Sequence, residues 1–158
     1  MQYYSVDTNT IYPPELEFRW DDSSWVTSSS IPVLDQQNIY ISLAENPGIF
    51  YSQSINRFRL NVREDFPVRT FQTASIFTTN NFLNSSSLYA VKDLDTDEYV
   101  VDFDTNFTKI SCDSDGNYFD IYMNGLEPER YYKILVKTTI SGSTIVKDDQ
   151  YYFKVVNG

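Results

Sequence analysis

The stretch Asn124-Gly125-Leu126-Glu127-Pro128-Glu129-Arg130-Tyr131-Tyr132 is the strongest local motif in the sequence, because it carries the L-x-P-x-x-x-Y spacing of a tyrosine corner. In this motif the chain crosses between two sheets, the tyrosine is buried, and its hydroxyl folds back onto the backbone upstream. The three positions are Leu126, Pro128 and Tyr132. We therefore predict that these residues form a structural corner with Tyr132 inside the core.

Runs of alternating apolar and polar residues flank this corner on both sides. Residues 118–123 place Phe119, Ile121 and Met123 on one face, and residues 132–137 alternate in the same way. This period of two predicts strands with one apolar face each. Similar runs lie at 15–20, 39–43, 57–62, 99–103 and 151–156. Since no segment shows the apolar stripe of an amphipathic helix, the sequence predicts an all-β protein.

Polar, turn-forming stretches separate these strands. Residues 93–98, 113–117 and 141–143 each predict a hairpin loop, and Gly142 supplies the positive φ that a tight hairpin needs. Strands therefore recur every 8–12 residues or so, which is typical of a two-sheet sandwich.

Two Asp-rich turns suggest a cation site as well as a hairpin tip. Asp93, Asp95 and Asp97 have the D-x-D-x-D spacing of a calcium loop, but Glu98 stands where an EF-hand needs glycine. The stretch Asp113–Asn117 departs from that pattern in a similar way. We expect solvated hairpin tips, with adventitious Ca²⁺ binding left open at both.

The residues that usually carry catalysis are missing from the sequence. There is no histidine, P-loop, G-x-S-x-G motif or Cys/His cluster. Asp102 and Asp104 are expected on one face of one strand, not across a cleft as a glycosidase requires. The single cysteine, Cys112, is expected to be a buried structural thiol. We predict a protein that is not an enzyme, with no catalytic residue, metal or cofactor.

The formal net charge of −10 disfavours binding to nucleic acid or to an anionic membrane. The longest apolar runs are too short for a membrane-spanning helix, and the first residues do not have the pattern of a secretory signal. Arg57 and Arg59 share one face of a predicted strand. That face is either solvated or contacts an acidic neighbour.

The corner and its surrounding strands resemble the E–F corner of fibronectin type III and related immunoglobulin-like domains. The resemblance covers residues 87–158 as strands C to G, with strand B at Ile55–Val62 and strand A at Asn38–Leu43. It implies an immunoglobulin-like antiparallel β-sandwich over residues 33–158. A long B–C loop is then inserted at about 63–86, and residues 1–32 form an N-terminal extension.

Four stretches, at 67–71, 89–93, 99–104 and 116–132, resemble structural proteins of tailed bacteriophages. This resemblance implies a structural component of the virion head, neck or tail that assembles in the host cytoplasm. Its expected partners are other virion proteins and copies of itself in a symmetric homo-oligomer, with no small-molecule substrate. The alternative is a carbohydrate- or receptor-binding sandwich on the virion surface, where exposed aromatics and Asp/Asn clusters would form the site.

The chain has more aromatic residues than one small core can bury. The surplus residues therefore either pack on the faces of the sheets or form an interface. They include Tyr3, Tyr4, Tyr12, Trp25, Phe50, Tyr51, Tyr131 and Tyr152. The extension and the long loop are expected to act as arms that contact other subunits. The predicted interface residues are Tyr3, Tyr4, Tyr12, Trp25, Arg57, Arg59, Phe66, Arg69, Phe71, Phe77 and Phe82.

Overall fold

Strands make up almost all regular structure in the computed structural model, which describes residues 22–26, 33–34, 38–67 and 81–158. A short 3-10 turn, Met123–Gly125, is the only helical element in these ranges. The strands are β1 (Ile39–Leu43), β2 (Ile49–Tyr51), β3 (Ile55–Glu64), β4 (Leu88–Asp93), β5 (Tyr99–Val101), β6 (Ser111–Asp113), β7 (Gly116–Tyr122), β8 (Tyr131–Ile140) and β9 (Ser143–Val156).

The strands form two sheets, ordered β1-β3-β7-β6 and β2-β9-β8-β4-β5. Each sheet turns one apolar face toward the other, so the predicted all-β sandwich is confirmed. The pairing is antiparallel within the named strands except at one edge, where β2 runs parallel to β9. The chain reaches β2 before it crosses to β3 in the other sheet, so no hairpin constrains the direction of β2.

Aromatic rings join the two sheets at the centre of the core. Phe58 on β3 lies 5.6 Å from Phe153 on β9, and Tyr89 on β4 stacks on Phe119 of β7 at 4.4 Å between ring centroids. All four side chains are buried. The alternating runs predicted the inward positions of Phe58, Phe119 and Phe153 correctly, because burying one face of a strand removes every second side chain from water. Tyr89 lies outside those runs.

The predicted hairpins are present, and the tightest joins β8 to β9. Ser141 and Gly142 both have positive φ, 49° and 79°. This is the conformation of a type I′ turn, whose twist matches that of the flanking strands. In contrast, β5 stops at Val101 and exposes Tyr99. The prediction that this strand continues to Phe103 is therefore wrong. β5 is an edge strand that pairs with only one neighbour, β4.

Part of the N-terminal extension lies on the sandwich itself. Trp25 forms a parallel bridge with Cys112 on β6, where the Cys112 amide donates to the Ser24 carbonyl at 2.8 Å. These residues continue the four-stranded sheet beyond its edge. As expected, Cys112 is buried, and burial raises the pKa of its thiol to about 11.

The long loop begins two residues later than expected, and its last part packs into the core. β3 continues to Glu64, and Phe82 and Leu83 are completely buried. The Leu83 amide donates to the side-chain oxygen of Asn117 at 2.8 Å, inside the core. The prediction of Phe82 as an interface residue is therefore wrong, since its ring is already covered by its own chain.

Candidate binding surfaces

The tyrosine corner has the expected contact. Tyr132 is 1% exposed, and its hydroxyl donates a hydrogen bond to the Glu127 carbonyl oxygen at 2.9 Å. Leu126 is buried beneath the turn, whereas Pro128 lies at the surface. The corner is a structural element, because the Tyr132 hydroxyl already has a hydrogen-bond partner within the chain.

Asp93 is an internal anchor, which corrects its assignment to a solvated hairpin tip. Its carboxylate accepts hydrogen bonds from Arg130 at 2.8 Å and from the amides of Asp95 and Thr96. Burial opposes ionisation, but these donors outweigh it and lower the pKa of Asp93. Asp97 is bound by Lys92 at 2.9 Å. Among the described residues, no group of three or more acidic, histidine or cysteine side chains has a geometry that could hold a metal ion.

Asp102 and Asp104 follow β5 and do not lie on one face of it. The Asp102 carboxylate accepts from the amide of Phe103, and the Asp104 carboxylate accepts from the amide of Asn106, both at 2.7 Å. Each carboxylate closes a local turn through its neighbouring backbone, as aspartates in turns commonly do.

The outer face of the five-stranded sheet carries a regular array of tyrosines, which we call the tyrosine face (Ile49, Tyr51, Tyr99, Tyr131 and Tyr152). Strand register places four of these residues in two rows across the sheet, together with three lysines, while Tyr51 pairs with Val156 outside both rows. One row runs Tyr99–Lys92–Lys133–Tyr152, and the next runs Tyr131–Lys154–Ile49. The four tyrosines are between 39% and 62% exposed, and Ile49 is 59% exposed.

The lysines within this face are neutralised by acids at its margins. Lys92, Lys133 and Lys154 pair with Asp97, Asp148 and Glu129 respectively, at 2.5–2.9 Å. Their side chains are only 16%, 17% and 25% exposed, so they lie flat between the tyrosines. The Lys92 amine is 4.6 Å from the centre of the Tyr99 ring. The surface that remains accessible is therefore mainly phenol ring.

Arg57 and Arg59 do meet acidic neighbours, but within their own chain. Arg57 makes two hydrogen bonds of 2.9 Å to Asp120, and Arg59 makes two to Asp113 at 2.7 and 2.9 Å. The Arg57 guanidinium also lies 4.1 Å from the centre of the Tyr118 ring. These contacts correct the assignment of Arg57 and Arg59 to an interface with another protein, because their acidic partners come from β7 and β6 of the same sheet.

A cavity of about 360 Å³ opens beside β7, and we call it the β7 pocket. It exists because β6 pairs with β7 only from Gly116 to Tyr118, while β7 continues to Tyr122. Beyond Tyr118, β3 is the only described strand that pairs with β7. The cavity is lined by Asp22, Arg57, Tyr89, Phe107, Lys109, Ser111, Tyr118, Phe119, Asp120 and Tyr122.

Two stacked aromatic rings form the floor of the β7 pocket. Tyr89 stacks on Phe119 at 4.4 Å, and its hydroxyl donates to the Asp120 carbonyl oxygen at 3.2 Å. Burial, followed by the nearby acids Asp22 and Asp120, raises the pKa of Tyr89 to about 12. At the mouth of the pocket, Phe107 and Tyr122 are 42% and 55% exposed.

The predicted interface residues do not come together as one surface. Phe66 is 82% exposed, whereas Trp25 is half-buried with its ring 6.5 Å from that of Phe82. The remaining ones, Tyr3, Tyr4, Tyr12, Arg69, Phe71 and Phe77, lie outside the described residues. The β7 pocket was not predicted. The alternating run predicts that Tyr122 points outward. It does not predict that Tyr122 and Phe107 line the same cavity.

Comparison of the chain with protein-family profiles, with curated proteins and with solved structures gave no match. In the described part of the chain, no helix is long and apolar enough to cross a membrane.

Proposed function

We propose that this protein is a non-enzymatic structural component of a tailed-bacteriophage virion, where it mediates protein–protein assembly. Strand order supports the immunoglobulin-like part of this proposal. In that fold one sheet has the order A-B-E-D and the other contains C, F and G. If β1, β3, β7 and β6 are taken as A, B, E and D, the first sheet has that order, and β9-β8-β4 corresponds to G-F-C.

The tyrosine face carries the proposal of assembly. Tyrosine is enriched at protein–protein interfaces, and the cores of interfaces are depleted in unpaired charge. A phenol ring offers a large contact area while few rotatable bonds are immobilised. Since Lys92, Lys133 and Lys154 are already paired, a partner docking on this face does not have to desolvate an isolated ammonium group.

The same face suits contacts between copies of the chain. A two-fold interface uses one patch twice, so the patch must complement itself. The tyrosine face has both aromatic rings and paired lysines at neighbouring positions, and a second copy can therefore place tyrosines against the flat lysine stems. This is the contact that a symmetric homo-oligomer within a virion would need.

The test is incorporation of the protein into particles of a phage that encodes it, measured as copy number by mass spectrometry. We expect the wild-type chain in purified particles and a loss of incorporation of about tenfold or more in the double variant Tyr131→Ser/Tyr152→Ser, since interfacial aromatics are often worth ~2 kcal/mol each. Tyr40→Ser is the matched control, because Tyr40 is also exposed but lies on the other sheet. Absence of the protein from particles, or normal incorporation of the double variant, would contradict the proposal.

A further inference from the structure

We infer that the β7 pocket is a binding site for a neutral saccharide. This inference is independent of the proposed assembly role, because the pocket lies beside the four-stranded sheet and shares no residue with the tyrosine face. A volume of about 360 Å³ falls within the range of cavities that hold small ligands. Its walls come from both sheets, which keeps the cavity from collapsing when it is empty.

Aromatic rings supply the apolar part of the site. Tyr89 and Phe119 are stacked and buried at the floor, while Phe107 and Tyr122 are exposed at the mouth. A pyranose ring has one face rich in C–H groups, and such a face packs on the electron-rich face of an aromatic ring. Because the floor is fixed by the Tyr89–Asp120 hydrogen bond, the rings need little reorganisation to receive a ligand.

Polar groups in the pocket have unused hydrogen-bonding capacity. Arg57 and Asp120 share two hydrogen bonds of 2.9 Å, and their side chains are 47% and 35% exposed. A guanidinium has five N–H donors and a carboxylate has about four acceptor sites, so the pair retains donors and acceptors after its own two bonds. Sugar hydroxyls both donate and accept, and they match such a pair.

The charges in the lining determine the class of sugar. Asp22 and Asp120 contribute two negative charges, and Arg57 and Lys109 contribute two positive charges. A balanced lining gives no net attraction for a phosphate, a sulfated glycan or a uronic acid. With the aromatic mouth, this balance favours an uncharged polyol with an apolar face, which is a neutral hexose or N-acetylhexosamine.

The experiment titrates the ¹⁵N-labelled full-length chain with glucose, galactose, mannose and N-acetylglucosamine, and follows amide shifts by NMR. Glucuronic acid and inorganic phosphate are the charged comparators. We expect saturable binding of at least one neutral sugar at roughly millimolar affinity, with shifts centred on Phe107 and on β7. We expect binding to weaken about tenfold or more in Phe107→Ala and in Tyr122→Ala, and to stay unchanged in Tyr131→Ala.

The variants are suited to this test because all three side chains are at least 42% exposed, so their removal leaves the core intact. Absence of saturable binding by every neutral sugar would overturn the inference. Binding that persists unchanged in Phe107→Ala and Tyr122→Ala, or that is confined to the charged comparators, would also overturn it. None of these results bears on the assembly test, which depends on Tyr131 and Tyr152.

Discussion

The Tyr132 hydroxyl donates a 2.9 Å hydrogen bond to the carbonyl oxygen of Glu127, five residues upstream, while its ring lies 5.6 Å from that of Phe153 in the core. One side chain thus joins the loop that crosses between the sheets to the strand pair β8–β9. The contact is local in sequence, but it holds the position at which the chain changes sheets.

Removing this hydroxyl should weaken the fold without disturbing its packing. We expect Tyr132→Phe to lower the free energy of unfolding by about 1–2 kcal/mol, because the Glu127 carbonyl oxygen loses its partner in a partly buried hydrogen bond. Urea unfolding of the purified protein measures the loss. Tyr131→Phe is the control: its side chain is half exposed, and we expect a change within about 0.5 kcal/mol. Equal losses in the two variants would show that the corner contributes nothing.

Replacement of Cys112 by serine tests the buried thiol. We expect Cys112→Ser to cost about 1–3 kcal/mol at neutral pH, because a more polar group is buried at a site that is 0% exposed. Urea unfolding at neutral pH measures this cost against the wild type.

The cost should also depend on alkaline pH. Burial raises the pKa of Cys112 from 9.0 to about 11, so the thiol's contribution is complete below pH 9 and is lost as the pH rises through 11. The gap between wild type and Cys112→Ser should therefore narrow across this range. Urea unfolding at several pH values checks it, and a constant gap up to pH 11 would mean that burial does not raise the pKa.

The buried carboxylate of Asp93 should matter more than its exposed neighbour. We expect Asp93→Asn to destabilise the protein by on the order of 1–3 kcal/mol, since Arg130 loses a charged acceptor that is only 5% exposed. Asp97→Asn removes an ion pair from the same loop, but its carboxylate is 82% exposed and little change is expected.

Acid titration provides a second readout for Asp93. Its pKa is lowered from 3.8 in the folded state, so the stabilisation is present above that value and is lost as the pH falls below it. The difference between wild type and Asp93→Asn, measured by thermal unfolding, should accordingly shrink below about pH 4. If the stability difference between wild type and Asp93→Asn stays the same in acid, the negative charge of Asp93 does not cause it.

Two glycines with open space around them isolate the effect of the backbone dihedral φ. Gly142 has φ of +79° and no atom near an added Cβ, so Gly142→Ala should cost about 1 kcal/mol through the backbone alone. Gly125 also has open space but no positive φ, so Gly125→Ala should be neutral or stabilise by about 0.4–1 kcal/mol. Melting temperatures of the two variants check the prediction, and a shift of the same sign in both would contradict it.

Local pattern in the sequence was enough to predict the strands and the corner. Alternation placed Phe58, Phe119 and Phe153 inward, because a strand exposes its two faces alternately and only one face could be buried. The corner was predictable for a similar reason, since Tyr132 and Glu127 are only five residues apart. Turn residues such as Gly142 indicated where each hairpin closes.

Tertiary structure alone decided which polar and aromatic side chains meet. Asp93 is 37 residues from Arg130, and Phe107 and Tyr122 line one cavity beside the end of β7 that β6 does not cover. The sequence predicted Phe82 in an exposed arm, but its side chain is buried and its ring lies 6.5 Å from that of Trp25. The pattern of one strand specifies which of its faces is apolar. Contacts between distant segments depend on sheet order, strand length and loop path, which no single stretch of this sequence encodes.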